Sequence, residues 1–253
     1  MDEPPSSLFY WISLGPGGTP QTFRGYLRIK VLSLFALRDS YAAIIPIPHD
    51  LCQHGCLKEL PKRDRPRPRT RGIAPHRQVD QRSGEAIFRK LAGGIKSFAP
   101  GHNGDLEIGT SCFEKHGTGL FSTCPANRTC RGEIVHVHPS DGSMHMTLHP
   151  ADANTVLEAG WGERHPLAGV FNDRLLPSGF IMLYAPQNDE EIGVVFQVVR
   201  AACWFVSEGD RRRKSRSEGD GAVRECDSTS TVPIGGRGNV RQVEAPNRAL
   251  EKI

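Results

Sequence analysis

Between residues 132 and 168 the chain reads GEIVHVHPSDGSMHMTLHPADANTVLEAGWGERHPLA, and no other stretch restricts the fold as strongly. Residues 132–138 and 143–149 alternate imidazole or hydroxyl side chains with apolar ones, on either side of Pro139-Ser-Asp-Gly142. A period of two suits a half-buried strand, and Asp-Gly is a tight-turn signal, so the stretch predicts an antiparallel hairpin. A two-residue turn at Asp141-Gly142 would put His138 opposite His145; a four-residue loop would put His136 opposite His145. Either register sets His136, His138, His145 and Thr147 on one face and Val135, Val137, Met144, Met146 and Leu148 on the other. Five of the chain's ten histidines fall in this block. The block therefore concentrates the side chain that changes charge near neutral pH and commonly binds metals.

Around the hairpin, the expected fold is a single α+β domain over residues 15–206. It has a mainly antiparallel sheet of about four strands with helices packed on one face. Residues 23–37 predict a helix with Tyr26, Val31, Leu34 and Leu37 on its apolar side. Residues 38–76 read as an irregular Pro/Arg-rich connector, because prolines at 46, 48, 61, 66, 68 and 75 exclude regular structure over most of it. A second helix is expected over 79–98, a strand over 106–116 and a loop over 117–131. Then come a helix over 152–160, a shaped loop over 160–167 with Trp161, and an apolar strand over 179–185. A final helix over 188–206 has Asn188 as N-cap and Asp189, Glu190 and Glu191 in its first turn. Residues 1–14 are expected to be a flexible N-terminus. Residues 207–253, charged and without sustained periodicity, are expected to be a disordered tail.

Charge and cysteine content narrow the function class. Residues 62–77 hold seven Lys/Arg against one Asp in a chain whose net charge is only +4, so the remainder is close to neutral. No aromatics interleave with Arg65-Pro-Arg-Pro-Arg69, which argues against nucleic acid. That run is expected to be an extended strap over an acidic part of the same domain, with peripheral contact to an anionic membrane as the second reading. Seven cysteines without dense spacing suit reduced thiols in the cytoplasm; Cys112, Cys124, Cys130 and Cys203 read as small apolar fillers. Cys52-Gln-His54-Gly-Cys56 lacks the second ligand pair of a zinc site. No signal peptide is visible, and no apolar run reaches the ~18 residues of a membrane span.

Several blocks together resemble the fungal luciferase domain. They are His136-Val-His138, the following Met144-His145-Met146 strand, Gly160-Trp-Gly-Glu-Arg-His-Pro-Leu167, Tyr184-Ala-Pro before an acidic helix start, and the earlier Pro20-Gln-Thr-Phe-Arg-Gly-Tyr26. The likeness spans residues 15–206 discontinuously, and the Gly-Trp-Gly-Glu-Arg-His-Pro-Leu segment is its specific part. Where the family has Arg after Tyr-Ala-Pro, this chain has Gln187; the family hairpin lacks a counterpart of His149 and turns differently from Pro139-Ser-Asp-Gly142; and residues 1–14 are not expected to supply the family's apolar anchor. The resemblance implies an oxidoreductase that adds molecular oxygen, its co-substrate, to a 3-hydroxy-α-pyrone. A cyclic peroxide forms and loses carbon dioxide, with no metal or organic cofactor. Such a site must remove an enol proton and hold the anion in a dry pocket. One of His136, His138 or His145 is expected to be the general base, with Arg164 and His165 clamping the anionic oxygens. Trp161, Glu163 and Thr147 would contact the small-molecule substrate.

Two other readings stand beside this one. Imidazoles sharing a sheet face can hold zinc or iron, with Glu133 or Glu163 as carboxylate partner, although parity puts Glu133 on the opposite face from His136. Alternatively, the histidines bond to loop backbone in a non-catalytic small-molecule-binding module.

Overall fold

The computed structural model describes residues 7–44, 47, 51–99, 104–127 and 129–208; residues 209–253, most of the expected disordered tail, lie outside the described residues. Six strands form one antiparallel sheet: β3 (Leu106–Thr110), β4 (Thr118–Ser122), β5 (Glu133–Val137), β6 (Met144–Thr147), β7 (Gly162–Arg164) and β8 (Phe180–Leu183). Their order is β3-β4-β5-β6-β8-β7, with a separate two-stranded sheet of β1 (Thr70–Gly72) and β2 (His76–Gln78). The α+β architecture is as expected, with more strands. Strand β4 falls in a segment read as loop, because Gly119 interrupts its alternation. Strand β7 falls in the expected shaped loop.

One face of the sheet is apolar and carries the helices. Val135, Val137, Met144, Met146, Ile181 and Leu183 meet Val195, Val198, Val199, Ala202 and Val206 of α5 (Asp189–Glu208) in a single buried cluster. α3 (Glu85–Ser97) lies against α5, where a Cβ at Gly94 would collide with the Phe196 ring. α3 begins at Glu85, not at residue 79, because His76–Gln78 are drawn into β2. α4 (Pro150–Ala159) starts with proline in its first turn and ends at Gly160, whose φ of 83° suits glycine.

The basic strap closes the exposed end of α4. Lys62 Nζ donates to Glu158 O (2.7 Å), Arg63 N to Ala159 O (2.8 Å) and Arg67 to Leu157 O (2.7 Å), which satisfies carbonyls a helix leaves unpaired at the negative end of its dipole. Arg65 pairs with Glu191 and Arg69 with Asp80. The strap is thus tied to its own domain, as expected, though mostly through carbonyls rather than acidic side chains.

The other face of the sheet is covered by irregular chain. The β1–β2 hairpin, turning at a cis Ala74-Pro75 bond, and the 111–117 loop lie over it. Arg77 donates to Pro16 O (2.7 Å), and Trp11 of α1 (Leu8–Ser13) donates its indole N–H to Ala74 O (2.9 Å). The segment expected to be a flexible N-terminus therefore includes a helix with a buried tryptophan. In α2 (Phe23–Ser33) the inward side holds Gly25 and Ile29; of the expected apolar face, Val31 and, just past the helix, Leu34 point outward, while Tyr26 packs on Trp11 and Leu37 is half-buried. Cys112 and Cys130, expected to be reduced fillers, are joined as a disulfide with Cα atoms 6.2 Å apart. Among the described residues no helix is long and apolar enough to cross a membrane.

Candidate functional site

The hairpin adopts the four-residue loop: His136 pairs with His145, and Val137 with Met144. The register continues across the sheet, His145 to Met182 and Met182 to Glu163, so one row runs His136, His145, Met182, Glu163 through four strands. Phe180 joins the same face two residues before Met182, its ring 5.3 Å from that of His145. Glu133 joins it as well, against the parity expectation. A β-bulge lets Gly119 pair with His136 but Phe121 with Glu133, so Ile134 is the extra residue and Glu133 turns to the histidine side.

Carboxylates anchor the far side of each ring. Glu133 Oε1 lies 2.6 Å from His136 Nδ1 and also accepts from Ser111 Oγ, while its Oε2 accepts from Cys112 N. Ser143 Oγ donates to Asp141 Oδ1 (2.5 Å), which leaves its lone pair to accept from His138 Nδ1 (2.8 Å). Glu163 Oε1 faces His76 Nε2 at 3.0 Å, and His76 Nδ1 faces His145 Nε2 at 3.2 Å. Glu163 also accepts from Thr70 and from the Tyr184 hydroxyl.

With one hydrogen on each ring, these partners assign the tautomers. His136 and His138 carry hydrogen on Nδ1. His76 carries it on Nε2, so its bare Nδ1 accepts from His145 Nε2–H. The three remaining ring nitrogens converge: His138 Nε2 is 3.1 Å, and His136 Nε2 3.3 Å, from His145 Nδ1. Each of the three presents a lone pair and none a hydrogen.

Burial dominates the site's electrostatics. It pushes His138 down to about 4 despite Asp141, and holds His145 and His165 well below the usual imidazole range, helped by neighbouring rings. Burial alone would raise Glu163, Asp141 and Glu114, but bonds from His76, His138 and Arg77 respectively bring each below the ordinary carboxylate range. Arg77 pairs with both oxygens of Glu114, whose Oε1 is 4.0 Å from His138 Nε2. Phe113 lies 4.9 Å from Phe180 and 6.0 Å from His136 between ring centroids, closing the site from above.

The chain is similar to known proteins over most of its length. A family model described as "Luciferase domain" matches residues 131–202. The luciferase of Armillaria mellea is 32% identical over 214 residues, covering 78% of this chain and 79% of that protein. The luciferase of Neonothopanus nambi is 33% identical over 217 residues, with the same coverage. This chain belongs to the luciferase-domain family. No solved structure matches it.

The domain match includes His136, His138, Asp141, Ser143, His145 and Glu163, while His76, Arg77 and Glu114 come from outside it. Of the residues singled out in the sequence, His136, His138, His145 and Glu163 do meet. Thr147 shares their face, opposite Phe180, with a buried hydroxyl that has no hydrogen-bond partner. His165 borders the cluster, 5.2 Å from both His76 and His145, but its nitrogens are occupied: Nε2 donates to Ile73 O and Nδ1 accepts from Leu167 N.

Arg164 departs from expectation. Alternation in β7 sends it to the face opposite Glu163, where it donates to Ala168 O and senses Asp39 and Asp173. Trp161 belongs to the core; its indole donates to Pro61 O, and Arg63 stacks 6.0 Å over its ring. The arginine of the site is Arg77. Sequence reasoning missed it with His76, because both follow the proline-rich connector and arrive through a hairpin that alternation does not announce. Ala74-Pro75-His76-Arg77 was the available signal: a proline turn followed by paired site-type residues.

Proposed function

We propose that this luciferase-domain protein is an oxygen-incorporating enzyme acting on a small electron-rich enol of the hydroxy-α-pyrone class. The reading rests on one observation above all: a sealed, polar sheet face on which three bare imidazole nitrogens converge beside a guanidinium. An enol hydroxyl arriving there donates its hydrogen to a ring lone pair; once the proton has moved onto that nitrogen, the new N–H and Arg77 stabilise the enolate oxygen left behind. The proton passes into the imidazole–carboxylate network. The enolate carbon then adds molecular oxygen; both oxygen atoms enter the substrate, and carbon dioxide is the leaving fragment of the pyrone ring.

Likeness to fungal luciferases supports the reaction class, and the burial of the cluster supports exclusion of water from a peroxide intermediate. Arg77 takes the anion-stabilising part expected of Arg164. His165 acts through position, holding Ile73 and Leu167 around the cluster. Because the cluster is closed, substrate entry requires the β1–β2 hairpin or the 111–117 loop to lift.

The test is direct. Purified full-length protein is mixed with a panel of hydroxylated α-pyrones while dissolved oxygen is followed. Uptake that depends on protein and pyrone, and that the His138→Ala variant loses while still folded, is the expected result. No uptake with any member of the panel would overturn the assignment.

A further inference from the structure

We infer that His136 Nε2, His138 Nε2 and His145 Nδ1 form the three-histidine site of a divalent first-row transition-metal cation, iron(II) or zinc(II) by ligand type. The inference rests on the proposed function in one respect: the open position on the metal is where the enol oxygen of that reading would bind.

Geometry is the first argument. Nitrogens bound at 2.0–2.1 Å in a tetrahedral arrangement lie about 3.3 Å apart. The separations here are 3.1 and 3.3 Å, and all three ligand atoms fall within 4.8 Å of one another. With each ring's single N–H committed to its outside acceptor, as assigned above, no hydrogen is left to hold the three nitrogens together. One metal ion serves all three.

Outer contacts are the second argument. Metal-bound imidazoles characteristically donate their other N–H to a carboxylate or a relay ending in one. All three rings do so: His136 to Glu133, His138 through Ser143 to Asp141, and His145 through His76 to Glu163. Charge is the third. Glu114, Glu133, Asp141 and Glu163 are all buried, and Arg77 is the cation hydrogen-bonded within the group. Arg63 is directed to Pro66 and Gln81, Arg67 to backbone of Leu157 and Gly162, and His116 touches Glu114 from the half-exposed rim. With one hydrogen on each of His76 and His136, the group holds a buried carboxylate excess that a cation at the cluster would offset.

The neighbouring triad of His76, His145 and His165 is also compact. It makes a poorer site, because both nitrogens of His165 are bonded to backbone and His76 Nδ1 already meets His145. Glu114 Oε1 lies 4.0 Å from His138 Nε2, on the side from which it or a substrate oxygen would complete the coordination.

Full-length protein freed of metal with a chelator is titrated with cobalt(II) and zinc(II), reading visible absorption for cobalt, and equivalents bound and melting temperature for both. About one equivalent is expected, with a raised melting temperature. His136→Gln should lose stoichiometric binding, His165→Gln should keep it, and Glu133→Gln should weaken it by about 10- to 100-fold. Less than about a tenth of an equivalent bound by the folded parent would overturn the site. Loss of binding in His165→Gln with retention in His136→Gln, both folded by circular dichroism, would overturn this choice of ligands. Oxygen uptake is measured in parallel. Uptake by folded, metal-free protein overturns the metal's place at the enol oxygen but leaves the proposed function standing; metal binding without uptake on any pyrone overturns that function and leaves the site.

Discussion

Replacing Arg77 with methionine would test how the buried charges are balanced. Arg77 donates to both Glu114 oxygens, to His76 O and to Pro16 O, and it is almost fully buried. Methionine keeps much of the volume but leaves the Glu114 carboxylate buried without its partner and strips two carbonyls of a donor. Removing one member of a buried ion pair costs about 3–5 kcal/mol. For a domain of roughly 200 residues each kcal/mol is worth about 2–4 °C, so the melting temperature should fall by about 6–20 °C. Calorimetry in chelator-containing buffer reads this without compensation by adventitious metal. The double variant Arg77→Met with Glu114→Gln removes the stranded charge and should recover part of the loss, because neighbouring sites are not additive. If the single variant melts within about 2 °C of the parent, or if the double variant loses the sum of both single effects, Arg77 does not balance this site and the electrostatic argument fails.

Gly94→Ala should destabilise by about 1–3 kcal/mol in urea, because its Cβ enters the Phe196 ring; adding Phe196→Ala should relieve the strain without restoring full stability. Asp152 Oδ2 and Oδ1 accept from Cys56 N (3.0 Å) and Leu57 N (2.7 Å), so Asp152→Ala should cost about 2–4 kcal/mol by leaving two buried N–H groups unpaired; an unchanged urea midpoint would refute that clamp. Trp161→Phe should lower stability by about 1–2 kcal/mol through loss of the bond to Pro61, with no change in KM for pyrone in the oxygen assay. A large rise in KM would return Trp161 to the substrate pocket.

How far the site was legible depended on whether each residue obeyed a local rule. His136, His138 and His145 follow strand parity, which is indifferent to turn length, so their common face could be read directly. Glu133 was misplaced because parity fails across a bulge, and the bulge depends on pairing with β4, a strand that Gly119 concealed. Arg164 was misassigned by the mirror of that argument: it adjoins Glu163 in a motif, but adjacent strand residues face opposite ways. His76 and Arg77 are separated from the hairpin by some sixty residues of chain, and nothing periodic announces the turn that delivers them. The apolar sheet face, the final helix and the α+β class were legible because hydrophobic period alone carries them. The outward apolar side of α2 was not, since periodicity reports a face but not what covers it.

Three bare ring nitrogens point at one another in this site, and histidine tautomers report this directly. Long-range nitrogen–proton correlation spectra of metal-free, histidine-labelled protein should show hydrogen on Nδ1 of His136 and His138 and on Nε2 of His145. Hydrogen on Nε2 of His136 or His138, or on Nδ1 of His145, would contradict the account.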